Sequence, residues 1–478
     1  MTSSIKSSKV IVIGAGISGI KAAKTLHDNG IETLILEGRD RIGGRLNTIT
    51  PENSLNQYDI GACWFHATTN NELFDLCISK GNIDYYFDDN SVKIIGEEGE
   101  ITTNISPIID EIRLFTKLPR DKDTNLKQIV KEYLDKNGKF LTPEQLRDSP
   151  RLFRVNDIMN GTSWEKASGK LGGGGYGGRD AFCISGYSKV LDNVIDDYPR
   201  EKILLNSAVT SIDKPTTSSD EKFIISTNNG NIYECEYLII TVPLSILKNS
   251  ISEITKSNSI EFKSNILTNE FKDNLNKNHF VALSKVIVEF DKSFWPTVDK
   301  FIIVPTIDSK DEIFNNNNNK DDTIKTLPFN SIPENSPKPF EFASLVSNLQ
   351  NVRNIPALMF LIPEPASFFI ENDKSENKSK TWELIKPLIS KISNISESEL
   401  PIPKILITTN WSVDPYSQGS ISGNAPNDEF VNPSILKGLG KIRFAGEHAI
   451  ADGHGCAHGA YASGKREAEY IINDINGK

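Results

Sequence analysis

The chain has 478 residues, 38% of them hydrophobic and 24% charged, with a formal net charge of -10 at pH 7. That composition is ordinary for a globular protein, and the length suffices for two sizeable cores. The acidic balance argues against a surface for nucleic acid and leans toward cationic partners, and no apolar run approaches the roughly twenty residues a membrane helix needs.

Residues 1–9 are polar and lack a signal-peptide core, so the expectation is a cytoplasmic protein with neither membrane nor nucleic-acid partner. Five scattered cysteines, Cys63, Cys77, Cys183, Cys235 and Cys456, form no CxxC pair. Neither a disulfide framework nor a metal site is expected from them. The final Asn476-Gly477-Lys478 is neither a peroxisomal tripeptide nor a prenylation box.

The β-branched run over 9–13 breaks into Gly14-Ala15-Gly16-Ile17-Ser18-Gly19, which predicts a buried parallel strand. Helical spacing of Ile20, Ala22, Ala23 and Leu26 predicts a helix over 17–29 with Gly30 as its cap. A second strand over 33–37 completes a βαβ unit, so the amino-terminal segment reads as an α/β, Rossmann-like dinucleotide-binding fold. Residues 172–178, rich in glycine, predict a flexible loop. Residues 237–242, closed by Pro243, predict another core strand. The segment 282–290 alternates, with Ala282, Ser284, Val286, Val288 and Phe290 on one face. Residues 308–339, with an asparagine run at 315–319 and several prolines, predict a disordered surface insertion. Near the end, 442–447 reads as a short strand and 455–472 as a helix opened by glycines.

Strand and helix units at both ends predict a discontinuous nucleotide domain from 1–85, 203–262 and 403–478. A substrate-binding domain of mixed sheet and helices is expected from 86–202 and 263–402.

Gly14, Gly16 and Gly19 make a GxGxxG motif directly after a strand and at the start of a helix. The first glycine permits the tight turn, the second lets backbone approach a pyrophosphate, and the third lets helix and strand pack closely. Glu37, eighteen residues past Gly19, is placed to accept hydrogen bonds from a ribose diol. A lone GxGxxG also arises as a turn in unrelated loops; here strand, helix and acid agree.

The next segment, Arg39-Asp40-Arg41-Ile42-Gly43-Gly44-Arg45, sets basic residues and a glycine pair after that acid, an arrangement nicotinamide dehydrogenases do not use. At these residues the chain resembles the flavin amine oxidases, whose Glu, Arg, then Gly-Gly-Arg pattern wraps the ribose and pyrophosphate of FAD. The glycine of Glu37-Gly38-Arg39 stands where that family usually has alanine. The resemblance continues through Tyr58-Asp59-Ile60-Gly61-Ala62-Cys63-Trp64-Phe65-His66, Thr241-Val242-Pro243-Leu244, Trp411-Ser412-Val413-Asp414-Pro415-Tyr416-Ser417, and Phe444-Ala445-Gly446-Glu447 through Gly459-Ala460-Tyr461-Ala462-Ser463-Gly464. Five ordered motifs are far more specific than one. Within the family the chain looks most like the fungal polyamine (spermine) oxidases. The resemblance implies that Gly14, Gly16, Gly19, Glu37, Arg39, Gly44, Arg45, Gly61, Ala62 and Trp64 bind FAD. By the same resemblance Gly446 also binds FAD, while Val209 meets the adenine, Glu447 the ribityl or pyrophosphate, and Trp411 the isoalloxazine.

Flavin amine oxidases, as the resemblance implies, take a hydride from the carbon beside a neutral amine, leaving an imine that water hydrolyses, and pass the electrons to molecular oxygen as peroxide. Lys285 matches the family lysine that holds a water against the flavin's reactive nitrogen; read alone, it is a solvent-face partner of Glu289. His66 matches the histidine beside the substrate in polyamine oxidases, where it selects amine register; read alone, it is a satisfied structural residue. Ser420 falls where monoamine oxidases carry the cysteine that binds FAD covalently, so non-covalent FAD is expected. Ile421 and Cys456 occupy places where many members present aromatic rings that sandwich the amine. Their replacement widens the cavity. It opens a second reading, since yeast corticosteroid-binding proteins resemble the same family and such a cavity suits an apolar polycycle. Chromatin demethylases share the flavin fold but carry additional docking regions, against which this sequence offers only the asparagine-rich tract.

Overall fold

The computed structural model describes residues 5–173, 177–214, 222–252, 258–314 and 335–477. Its organising element is the strand Lys6–Ile13, whose last four residues are all buried because both faces of the sheet are covered. It runs parallel to Thr33–Leu36 on one side and Ile232–Ile240 on the other, and Ile232–Ile240 also pairs in parallel with Ile442–Phe444. In register, Ile13 lies beside Leu36 and Ile240, and Ile240 beside Phe444. The four strands thus end together, and Gly14, Glu37, Thr241 and the segment from Ala445 leave from one edge. In open parallel sheets that edge is where ligands bind. Ile203–Leu204 extends this sheet beyond Thr33–Leu36, while Phe223–Thr227, Val209–Asp213 and Glu261–Phe262 extend it beyond Ile232–Ile240.

Helix Ile17–Asp28 follows the glycine turn, and Ala457–Ile475 packs against it. Their backbones approach so closely that a Cβ on Gly464 would lie 2.1 Å from the Ser18 carbonyl. Gly30 takes φ +72° just past the first helix, as its capping role requires. The expected strand over 237–242 begins earlier and stops at Ile240, because the Thr241 hydroxyl turns back to donate to the Ile13 carbonyl at 2.8 Å. Pro243 then serves as the N-cap of helix Leu244–Ser250.

A second sheet, seven-stranded among the described residues, runs Ile405–Thr408, Leu283–Glu289, Ala357–Pro363, Ser344–Asn348, Lys300–Ile303, Val92–Gly96, Gly99–Glu100. Ile405–Thr408 lies in the segment 403–478 ascribed to the nucleotide domain, yet it pairs antiparallel with Leu283–Glu289. By sheet membership that boundary falls later. One face of the sheet, with Val286, Val288, Phe301 and Phe360, packs on helix Ser379–Ser393. The opposite face, with Leu283, Ile287, Leu345, Met359 and Leu361, packs on Tyr58, Cys63 and Trp64. The face expected to meet solvent is therefore covered: Lys285 is 6% and Glu289 2% exposed. Glu289 takes hydrogen bonds from Tyr58, Ser54 and Asn56 and an ion pair from Lys404, so it is not the partner of Lys285.

Helices Ser106–Thr116, Leu126–Asn137 and Pro143–Phe153 build a further apolar cluster. Of the tract 308–339, residues 315–334 lie outside the described residues; Ile313, just before them, is buried in that cluster. Residues 174–176 of the glycine cluster also lie outside the described residues, while the Gly172 carbonyl accepts from Asn160 at 2.9 Å. Among the described residues no helix is long and apolar enough to cross a membrane.

Candidate active site

A cavity of about 780 Å³ lies between the edge where the parallel strands end and the inner face of the second sheet. Of the residues singled out from sequence, Gly14, Gly16, Glu37, Arg39, Gly44, Arg45, Gly61, Ala62, Trp64, His66, Val209, Lys285, Trp411, Ile421, Gly446, Glu447 and Cys456 all line it. Gly19 does not; it packs beneath the turn, where a Cβ would meet the Gly14 carbonyl at 2.0 Å.

At the sheet edge Gly14 adopts φ +102°, a conformation that side chains other than glycine rarely take. A Cβ on Gly16 would meet no protein atom within 4 Å and would project into the cavity instead. Gly16 is also the N-cap of the first helix and provides no side-chain cap, which leaves the helix amides to a ligand. Glu37 accepts from the Ala15 amide at 2.6 Å and the Arg39 amide at 2.8 Å. Burial pushes its carboxyl up despite those bonds.

Two ion pairs brace this end. Arg39 forms a two-pronged bond to Asp414 at 2.7 and 2.6 Å and donates to the Ser417 hydroxyl at 2.9 Å, fastening the segment that carries Trp411. Arg45 donates to Glu447 at 2.9 Å and to the Ser420 carbonyl at 2.8 Å. Burial is the largest influence and opposes ionisation of Glu447, but Arg45, His448 and His454 together outweigh it and hold the carboxyl at about 2.

Facing these groups, Lys285 Nζ donates to the Asp59 carbonyl at 2.9 Å, to the Gly61 carbonyl, and to Cys63 Sγ at 3.0 Å. Its backbone amide is held by the Thr409 hydroxyl at 3.0 Å, and Nζ lies 5.9 Å from the Trp64 ring centre. Burial pushes the Cys63 thiol up to about 11, so it faces Lys285 Nζ as a neutral thiol. Trp411 Nε1 donates to the Ile60 carbonyl at 2.9 Å. The lysine and the tryptophan thus grip the same strip, residues 59–63.

Trp64–Phe65 pairs antiparallel with Ala181–Cys183, which pairs in turn with Tyr85–Tyr86. With Phe65 opposite Ala181, His66 arrives beside Asp180, and Nδ1 meets its carboxylate at 2.8 Å. Burial opposes ionisation of Asp180, but the His66 hydrogen bond and charge, the Ala67 amide and Lys300 together lower its pKa. The His66 ring stacks near Trp64, with centres 6.4 Å apart. Sequence reasoning missed Asp180, Asp88, Lys300 and His454, all of which line the cavity. Only strand register brings the first three in. Asp414, also missed, stood inside a motif already singled out.

The sequence profile of the family described as flavin containing amine oxidoreductase matches residues 17–155 and 159–472. The chain belongs to the flavin-containing amine oxidoreductases. Across 98% of its length it is 32% identical to a corticosteroid-binding protein of Candida albicans, covering 97% of that protein. It is 24% identical to polyamine oxidase 4 of Oryza sativa subsp. japonica, over 96% of this chain and 88% of the relative. The fold matches that of a solved putrescine oxidase double mutant with a TM-score of 0.69 at 15% identity, over 98% of this chain and all of the other.

FAD is the cofactor of this flavin amine oxidoreductase, and the cavity suits it. The Cβ-free surface at Gly16, the uncapped helix amides and the Glu37 carboxylate match a pyrophosphate followed by a ribose. A small-molecule amine and molecular oxygen are the reaction partners that membership implies.

Proposed function

We propose that this flavoprotein oxidises a polyamine, spermine or an acetylated relative, at a CH–NH bond, giving an imine and, after hydrolysis, an aldehyde and an amine. When bound, FAD supplies the hydride acceptor and returns the electrons to oxygen as peroxide. The observation that carries the reading is a single cavity lined by Glu37 as well as by Lys285, Trp64 and His66. A dinucleotide held at Gly16 and Glu37 would share its cavity with the residues that match the catalytic group of the family.

Each group then has a part to play. Gly14, Gly16, Glu37 and Val209 hold the nucleotide half, while Arg45 and Glu447 fix the wall near its middle. Arg39 acts by anchoring the Trp411 segment through Asp414. Lys285 holds strip 59–63 and offers a proton-handling group at its end. His66, oriented by Asp180, sets the register of the amine. Cofactor attachment is non-covalent in this reading, because Ser420 has no thiol and its hydroxyl is engaged with the Leu283 backbone.

Lys285→Met tests the assignment. The variant is expected to purify with FAD and lose about a hundredfold or more in turnover with its best amine, followed by peroxide release. Turnover unchanged from the parent removes Lys285 from the mechanism.

A second reading, retention of a corticosteroid with little turnover, is favoured by Ile421 and Cys456 in the cavity wall and by the Candida relative. An aliphatic side chain and a thiol cannot clamp an amine as two rings do. A cytosolic setting suits either reading, since the five cysteines are buried and joined in no disulfide among the described residues.

A further inference from the structure

Beyond Trp64 the cavity wall carries a charged pair that the groups described so far leave unused. Asp88 is 1% exposed and accepts from the Trp64 indole N–H at 3.1 Å and pairs with Lys300 Nζ at 3.4 Å, both through Oδ2. Its Oδ1 is buried and has no hydrogen-bond partner among the described residues. Asp88 and Lys300 both line the cavity. A buried carboxylate oxygen without a donor is a group that a ligand completes.

The pair is firmly held. Lys300 opens the strand Lys300–Ile303, and the adjacent Asp299, fully buried, accepts from the Tyr86 hydroxyl at 3.0 Å and the Asn90 amide at 2.8 Å. Those bonds fix the turn that carries Asp88. Burial pushes the Asp88 carboxyl up and Lys300 opposes that shift.

The charge of this region decides what fits. Asp180 is matched with His66, and Asp88 with Lys300. A free ammonium that approaches Asp88 meets the Lys300 charge only a few ångströms away. A neutral end with an N–H or O–H donates to Oδ1 of Asp88 without bringing a second positive charge beside Lys300.

We propose that Asp88 and Lys300 form a specificity-determining pair that selects a neutral end presenting a hydrogen-bond donor over a free ammonium end. The amide of an N-acetylated polyamine and the ketol side chain of a corticosteroid share this chemistry. The first source rests on the amine-oxidase reading; the second does not.

The test compares the FAD-loaded protein with Lys300→Met and Asp88→Asn, retention of the flavin spectrum reporting an intact fold. With N-acetylspermine and spermine, the parent is expected to favour the acetylated amine by about tenfold or more in kcat/KM. Lys300→Met, which leaves the carboxylate unopposed, is expected to move that ratio toward spermine by about tenfold, mostly through KM. A parent that prefers spermine, or a ratio that Lys300→Met leaves unchanged, overturns the proposal. If the parent oxidises neither amine, the amine-oxidase reading fails and the pair is tested with steroids. A flavin spectrum shifted by deoxycorticosterone but not by progesterone, which differs only in lacking the ketol hydroxyl, and no longer shifted in Asp88→Asn, supports the pair. An equal response to both steroids, or to neither, overturns it.

Discussion

His66 and Lys285 reach the cavity from different elements, and each is held by a contact that sequence spacing does not reveal. The imidazole is oriented by Asp180, so its role is directional and depends on keeping that bond at 2.8 Å. His66→Gln is expected to keep FAD and to lower kcat/KM for spermine by about tenfold or more while leaving benzylamine within about twofold, measured by peroxide release. An unaltered ranking of spermine, acetylspermine and benzylamine makes His66 structural. Lys285 was legible as a matched position, but its surroundings were not. Alternation along 282–290 reads as a half-solvated strand, whereas Tyr58, Cys63 and Trp64, from a segment over two hundred residues earlier, cover that face.

The glycine turn and its helix are the best-read part of the chain, because every signal there is local: a β-branched run, three glycines and an acid at the end of the next strand. The turn also yields a clean test. Since a Cβ at Gly16 meets cavity and no protein atom, Gly16→Val is expected to fold but to purify colourless, with an apo melting temperature within about 2 °C of the parent apo-protein. A yellow Gly16→Val protein contradicts the placement of the pyrophosphate. The Trp411 segment was legible as a motif but not as a clamp. Asp414→Asn removes the carboxylate that Arg39 grips twice, and the expected result is FAD affinity weakened by about tenfold in a flavin-release titration. Asp88, Asp180 and Lys300 were illegible for a related reason. They meet through the pairing of Trp64–Phe65, Ala181–Cys183 and Tyr85–Tyr86 and the neighbouring second sheet, and such non-local register leaves no mark in spacing.

The molecule as a whole sets one sheet's carboxyl edge against another sheet's face, and the buried groups at that junction govern its response to acid. Burial pushes the His448 imidazole down to about 4, and neither ring nitrogen has a hydrogen-bond partner among the described residues. The unfolded chain therefore binds the proton first, and stability falls as pH drops from 6.5 toward 4. Glu447, held at about 2 by Arg45, His448 and His454 together against the larger single effect of burial, adds a loss of the same sign below 4.5. His448→Gln is expected to flatten the first loss, on the order of 3 kcal/mol, in urea titrations of the protein across that pH range. A pH dependence identical to the parent's assigns the acid sensitivity elsewhere.

Anaerobic titration of the purified yellow protein with spermine, following the visible absorbance of oxidised flavin, tests the proposed function most directly. Rapid bleaching, reversed by air with release of peroxide, is the expected result. A spectrum that neither spermine nor acetylspermine nor a simple amine bleaches, but that a corticosteroid shifts, contradicts it.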